Sequence, residues 1–260
     1  MNTDLSGKRP VAIVTGAVAR VGLASACVLA RGGCDVVITY RREPGKAEAA
    51  RDTVLAAAPD SAVLLKNVSL DEPEEAEAGA KALAEMLPRV DVLVHNASVY
   101  QPTAVESVTA TDCERLYRVN AIAPLLLSRT LAPRLAKSRL PGGGAIVSMC
   151  DIHAMGEVGQ PRKGFLAYSM SKAALLELTM VLARELAPKV RCNAVAPGVV
   201  AFPESGHESD AEAQAKYLSR VPLERSGTPE EAAEAVAWLA LRATYTTGQV
   251  VRVDGGRWIA

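Results

Sequence analysis

The strongest constraint on this chain is an alternation of short, continuously apolar runs with longer stretches whose apolar residues recur at helical spacing. The first run, residues 10–15 (Pro-Val-Ala-Ile-Val-Thr), reads as a strand buried on both faces, because a strand with one wet face would alternate apolar and polar residues. A turn bounded by Gly16 and Gly22 leads into a helical pattern over 23–31. Gly32-Gly33 ends that helix, and 34–40 is a second strand. The pattern then repeats. Helices are expected over 46–58, 74–87, 112–136, 168–187 and 229–241, with strands over 62–66, 90–95, 144–149, 190–195 and 249–253. About seven strands alternating with helices predict an α/β fold, a single Rossmann-like domain over 1–260 with a doubly wound parallel sheet flanked by helices. No linker, low-complexity segment or solenoid-period repeat divides it.

Composition narrows the classes of function. A hydrophobic content of 49% can fill one substantial core, and the low aromatic share of 4% suits helices packed closely on a buried sheet. Lys+Arg and Asp+Glu stand at 29 each, so there is no basic field to collect nucleic acid. The polar start lacks the apolar core of a signal peptide, and no uninterrupted apolar run approaches the ~18 residues of a membrane span. The five cysteines are scattered and form no CxxC pair, so they read as reduced and buried in a cytoplasmic enzyme-sized domain. His95, His153 and His207 are isolated and offer no metal-ligand spacing.

The turn between the first strand and first helix is where backbone amides can approach a pyrophosphate. Only Gly16 and Gly22 remain of what could be three glycines; Arg20 takes the intermediate position, followed by Val21. A tight turn without a ligand is the alternative for so short a motif. At the end of the second strand, an NAD site usually carries an acid for the ribose hydroxyls. Here the sequence is Thr39-Tyr40-Arg41-Arg42, and guanidinium groups bind a 2′-phosphate that a carboxylate would repel. With Arg20 as a third positive charge and no acid at this place, NADP(H) is the expected cofactor; solvated loop arginines are the alternative.

Tyr168 and Lys172 are four apart, so on a helix they lie on one face, one turn from each other. An ammonium beside a phenol favours phenolate, and lowering a tyrosine pKa by about 3 units takes roughly 4 kcal/mol of differential interaction. Alone, the pair reads equally as two residues of a surface helix.

From about residue 10 to residue 256 the chain resembles the short-chain dehydrogenase/reductases. The motifs that carry the likeness occur in family order: Thr15-Gly16 to Gly22, His95-Asn96-Ala97-Ser98, Asn120, Tyr168-x-x-x-Lys172, Pro197-Gly198 and Asp254-Gly255-Gly256. The resemblance implies that Tyr168 donates a proton, that Lys172 lowers its pKa and binds the nicotinamide ribose, and that Asn120 helps hold a relay water. It also implies that Asn96 and Ala97 lie beside the adenosine half of the cofactor, and that Ser98, Pro197 and Gly198 bind it as well. Asn67-Val68 stands where relatives often have Asp-Val near the adenine, and the family is usually tetrameric.

The departures concern the substrate. The family's catalytic serine after the fifth strand is replaced by Asp151. An ionised aspartate only accepts hydrogen bonds and would repel a developing alkoxide, so an ordinary ketone is disfavoured and a heterocycle rich in N–H donors is favoured. Capping a turn is the alternative role for Asp151. The substitution resembles one branch, the pteridine reductases, as do Arg20 in the glycine turn, the Asn96–Thr103 segment with its aromatic Tyr100, and Asn120-Ala121-Ile122-Ala123-Pro124. That likeness implies a homotetrameric NADPH-dependent reductase of dihydropterin or dihydrofolate, with oxidised pterins as a further substrate class. Tyr100 would stack the flat ring, Arg20 would reach both cofactor phosphate and substrate edge, and Asp151 would aid Tyr168 through water. A general carbonyl or 3-oxoacyl reductase and a non-catalytic nucleotide-binding member are the competing readings. An insertion is expected over 156–164. The substrate-covering stretch, about 197–220, reads as irregular up to about 209, and its Glu204, His207, Glu208 and Asp210 read as solvated lid charges.

Overall fold

In the computed structural model, which describes residues 5, 8–154, 162–202 and 209–260, β1 (Val11–Val14) is buried along its whole length, as its unbroken apolar run requires. It pairs in parallel with β2 (Asp35–Tyr40) on one side and β4 (Val92–His95) on the other. With β3 (Val63–Asn67), β5 (Gly144–Met149), β6 (Val190–Pro197) and β7 (Val250–Val253) it forms a seven-stranded parallel sheet in the order β3-β2-β1-β4-β5-β6-β7. Strand order reverses between β1 and β4, where a doubly wound sheet opens a crevice at its carboxyl ends.

Alternate β1 side chains enter opposite cores. Ala12 and Val14 join α1 (Arg20–Arg31), α2 (Pro44–Ala57) and α8 (Pro229–Ala237) on one face. Val11 and Ile13 join α3 (Pro73–Met86), α5 (Ala123–Leu135) and α6 (Leu166–Glu185) on the other. The two-faced burial is what made the strands continuously apolar.

The long helix expected over 112–136 is broken. α4 (Ala110–Tyr117) passes through a π-helical turn, Arg118–Ile122, into α5. Pro124 has no N–H to give its α-helical partner, the carbonyl of Asn120, and the ladder widens there, with Ala123 N–H donating to Arg118 O. α7 (Ala211–Leu218) falls in the stretch where no helix was expected; Asp210, read as a solvated lid charge, caps it by accepting from the Glu212 and Ala213 amides. Glu204, His207, Glu208 and residues 156–161 of the expected insertion lie outside the described residues. The end of that segment is held to the body: Gly164 (φ 79°) gives its carbonyl to Thr103 N–H at 2.6 Å.

α6 is long and apolar enough to cross a membrane by length and composition, but its buried face, including Leu175 and Leu182, packs into the domain. Cys34, Cys150 and Cys192 are buried free thiols, whereas Cys27 and Cys113 are only half-buried. His95 is fully enclosed against Ser128 Oγ at 2.8 Å, and burial alone pushes its pKa down to about 3.

Candidate active site

The carboxyl ends of the strands and the turns after them line one cleft of about 570 Å³. Every residue singled out from the sequence as cofactor-, substrate- or proton-handling lines it except Asn67 and Asn120. The glycine turn is shaped by contact rather than by flexibility. Gly16 has φ 63°, and a Cβ there would lie 3.0 Å from Ala97 Cα; a Cβ on Gly22 would strike the Asn96 amide. That amide donates to the carbonyls of Thr15 and Gly16, so Asn96 fixes the turn from the neighbouring strand. α1 starts at Arg20 with no side-chain cap and no acid in its first turn, leaving leading N–H groups and the positive end of its dipole for an anion. These residues fit the pyrophosphate of a dinucleotide.

Arg20 has φ 52°, a left-handed conformation costing a non-glycine residue about 1–2 kcal/mol. Its Nη2 donates to Ala201 O at 2.6 Å and Phe202 O at 3.4 Å, so it bridges the glycine turn and the loop after β6. On the far side Gly198 N–H donates to Val253 O, and the Tyr217 hydroxyl of α7 accepts from Val199 N–H at 3.3 Å.

At the adenosine end, Arg41 and Arg42 follow β2, and Val68 N–H donates to Tyr40 O. Asn67 stands outside the cleft and donates to Arg41 O at 2.9 Å. The end of β2 carries no acid of its own, but the fold brings one to it. Asp71 lies in the same cleft, and Arg41 Nη1 donates to both its carboxylate oxygens, at 2.6 and 2.8 Å. Asp71 sits in the β3–α3 connection, beyond β2, so no motif around Arg41 could have revealed it.

At the other end, Tyr168 and Lys172 lie on the first turns of α6, both buried. Lys172 Nζ donates to Met149 O at 2.8 Å and lies 5.9 Å from the Tyr168 ring centroid. Burial lowers the lysine's pKa, while Cys150 and Asp151 pull it up. Asp151 follows β5 and uses both oxygens: Oδ1 accepts from His153 N–H at 2.7 Å, capping a turn, and Oδ2 accepts from Tyr168 Oη at 3.0 Å. The turn-capping and active-site roles thus coexist, and contact with Tyr168 is direct rather than through water. The expected acidic shift of Tyr168 is also corrected. Burial first, then the charge and hydrogen bond of Asp151, raise its pKa well above 10, and the positive charge of Arg162 only partly offsets them.

Asn120 supports the site from behind. In the π-helical turn its Oδ1 accepts from Val99 N–H at 2.8 Å and Ser98 Oγ at 3.1 Å, while Nδ2 donates to Val99 O at 3.0 Å and Ser171 Oγ at 2.9 Å. All four of its hydrogen-bonding positions are filled by protein, so its side chain positions the 98–100 segment and α6 rather than holding a water. Ser171, missed from the sequence, is the link: it sits between the two signature residues yet faces Asn120. Tyr100 stacks on Phe165 at 4.8 Å and 20° and meets Tyr168 edge-on at 4.9 Å. Arg162 lies over both Tyr100 and Phe165, at 5.5 and 4.9 Å from the ring centroids.

A doubly wound parallel sheet whose crevice joins a glycine turn to a tyrosine–lysine pair defines a nucleotide-dependent oxidoreductase. More particularly, the chain belongs to the short-chain dehydrogenase/reductase family: the family described as enoyl-(acyl carrier protein) reductase matches residues 16–257. It is 35% identical over 259 residues to an uncharacterized oxidoreductase of Methylorubrum extorquens, covering 98% of this chain and 99% of that one. It is 38% identical over 147 residues to pteridine reductase 1 of Leishmania tarentolae, a match that covers 54% of this chain and 48% of that protein. Among solved structures, acetoin dehydrogenase from Salmonella typhimurium superposes with a TM-score of 0.83 at 31% identity, over 97% of both chains.

Proposed function

We propose that this oxidoreductase reduces a pterin-type C=N bond, in a dihydropterin or dihydrofolate, with NADPH as its cofactor. The observation that carries the reading is the Asp151 carboxylate facing the Tyr168 hydroxyl at 3.0 Å in the cleft that Tyr100 also lines. A carboxylate cannot donate to a carbonyl oxygen and opposes negative charge developing there, whereas it accepts well from the N–H groups of a pterin edge.

The cofactor, when bound, supplies the hydride. Gly16, Gly22 and the start of α1 would hold its pyrophosphate, Arg41 and Arg42 its 2′-phosphate, and Lys172 its nicotinamide ribose. Tyr168 keeps its proton at neutral pH and holds it at Oη; a ring nitrogen that takes Asp151's place as acceptor receives it. The Lys172 ammonium then offsets the phenolate. Asp151, released from Tyr168, orients the heterocycle by accepting from it, and Tyr100 offers an aromatic ring beside the plane of transfer, worth about 0.5–1.5 kcal/mol beyond burial. Exposed Leu125, Met170 and Val181 on α5 and α6 give apolar surface suited to self-association, in keeping with a cytoplasmic homotetramer.

One observation favours a second reading, a general carbonyl reductase: the solved structure described above, with a TM-score of 0.83, is a dehydrogenase of acetoin. The two are separated by assaying the purified protein with NADPH against dihydrobiopterin, dihydrofolate and a panel of small ketones. Turnover of the pterins is expected; turnover of ketones alone overturns the pterin reading.

A further inference from the structure

Arg41 and Arg42 are adjacent in sequence but differ in what surrounds them. Arg41 is held at both ends: Asn67 Nδ2 donates to its carbonyl at 2.9 Å, and its Nη1 straddles the Asp71 carboxylate at 2.6 and 2.8 Å. Asp71 is itself on a fixed support. Its neighbour Glu72 accepts from Arg118 Nη1 through both carboxylate oxygens at 3.0 Å, tying the β3–α3 connection to the π-helical turn. Arg42 lines the same cleft and makes no ion pair among the described residues.

We infer that Asp71 is a specificity-determining residue of the cofactor site, one that fixes Arg41 in place and offsets its charge, so that Arg42 carries most of the discrimination for a 2′-phosphate. This rests on the nicotinamide-cofactor reading above. A phosphate sharing the Arg41 guanidinium comes within a few ångströms of the Asp71 carboxylate, well inside the ~8 Å over which salt screens charge. The pair therefore contributes less positive field to the phosphate than two arginines suggest, and preference for NADPH over NADH is held down by a carboxylate that does not touch the ribose.

The test is titration of NADPH and NADH, by the fluorescence of the reduced nicotinamide, into the wild-type protein, D71N, D71S, R41A, R42A and the R41A/D71N double variant. Removing the carboxylate is expected to tighten NADPH about fivefold, the scale of one exposed ion pair, while NADH moves by less than about twofold. R42A should cost more NADPH affinity than R41A in the wild-type background, and the cost of R41A should grow when Asp71 is absent. Weakened or unchanged NADPH binding in both D71N and D71S, or equal shifts for the two cofactors, overturns the inference alone. Failure of the wild-type protein to bind either dinucleotide overturns the cofactor reading and this inference with it.

Discussion

Tyr168 Oη donates to Asp151 Oδ2 across 3.0 Å, joining the first turn of α6 to the end of β5 inside the cofactor cleft. This contact inverts the usual logic of a tyrosine beside a lysine. The phenol is held protonated, so in the proposed reaction Tyr168 would enter as an acid whose proton must be drawn off by a good acceptor.

Replacing Asp151 by the hydroxyl found in most of the family separates the two substrate classes. D151S should lose about 10- to 100-fold in kcat/KM for a dihydropterin, the value of one charge-assisted hydrogen bond, and gain turnover of small ketones. Steady-state assays on both classes check this; an unchanged preference would remove the basis for pterin specificity.

The pH profile follows from the direction of the Tyr168 shift. A raised pKa means the proton-donating form persists below that value and is lost only as pH rises through it. Reduction by the wild-type protein should therefore stay flat to about pH 9. D151N removes the charge that raises the phenol, so its alkaline decline should begin at lower pH. Profiles of kcat/KM on the two proteins test the ordering.

Y168F removes the proton but keeps the ring that Tyr100 meets edge-on. Turnover should fall about 10²–10⁴-fold, the usual contribution of a positioned general acid, with NADPH affinity nearly unchanged. Comparable losses in both would mark the tyrosine as structural.

N120A strips four hydrogen bonds from Ser98, Val99 and Ser171. Losing the buried bond to Ser171 and the partly buried bonds to the Val99 backbone should destabilise the fold by about 1–3 kcal/mol, read as a lower denaturation midpoint at unchanged slope.

His95 makes the domain acid-sensitive. Its pKa falls from 6.5 to about 3 on burial, so its stabilising contribution is complete above 6.5 and is lost as pH falls towards the folded value. Between pH 7 and pH 5 this costs about 2 kcal/mol. H95N, which removes the titrating ring, should flatten that loss in thermal melts at the two pH values, whatever its effect at pH 7.

The alternation of apolar runs and helical patterns was enough to determine the sheet, because strands buried on both faces cannot hide their composition. Nearly every residue the sequence singled out lines the cleft, since glycine turns and strand ends are local features. Tertiary structure alone decided what those residues do to one another. Asp71 meets Arg41 from a different strand–helix connection, Asn120 spends its amide on Ser98, Val99 and Ser171, and Asp151 closes on Tyr168 from 17 positions away. Electrostatic balance depends on through-space distances of a few ångströms, and residues far apart in the chain carry no local pattern that announces such an approach.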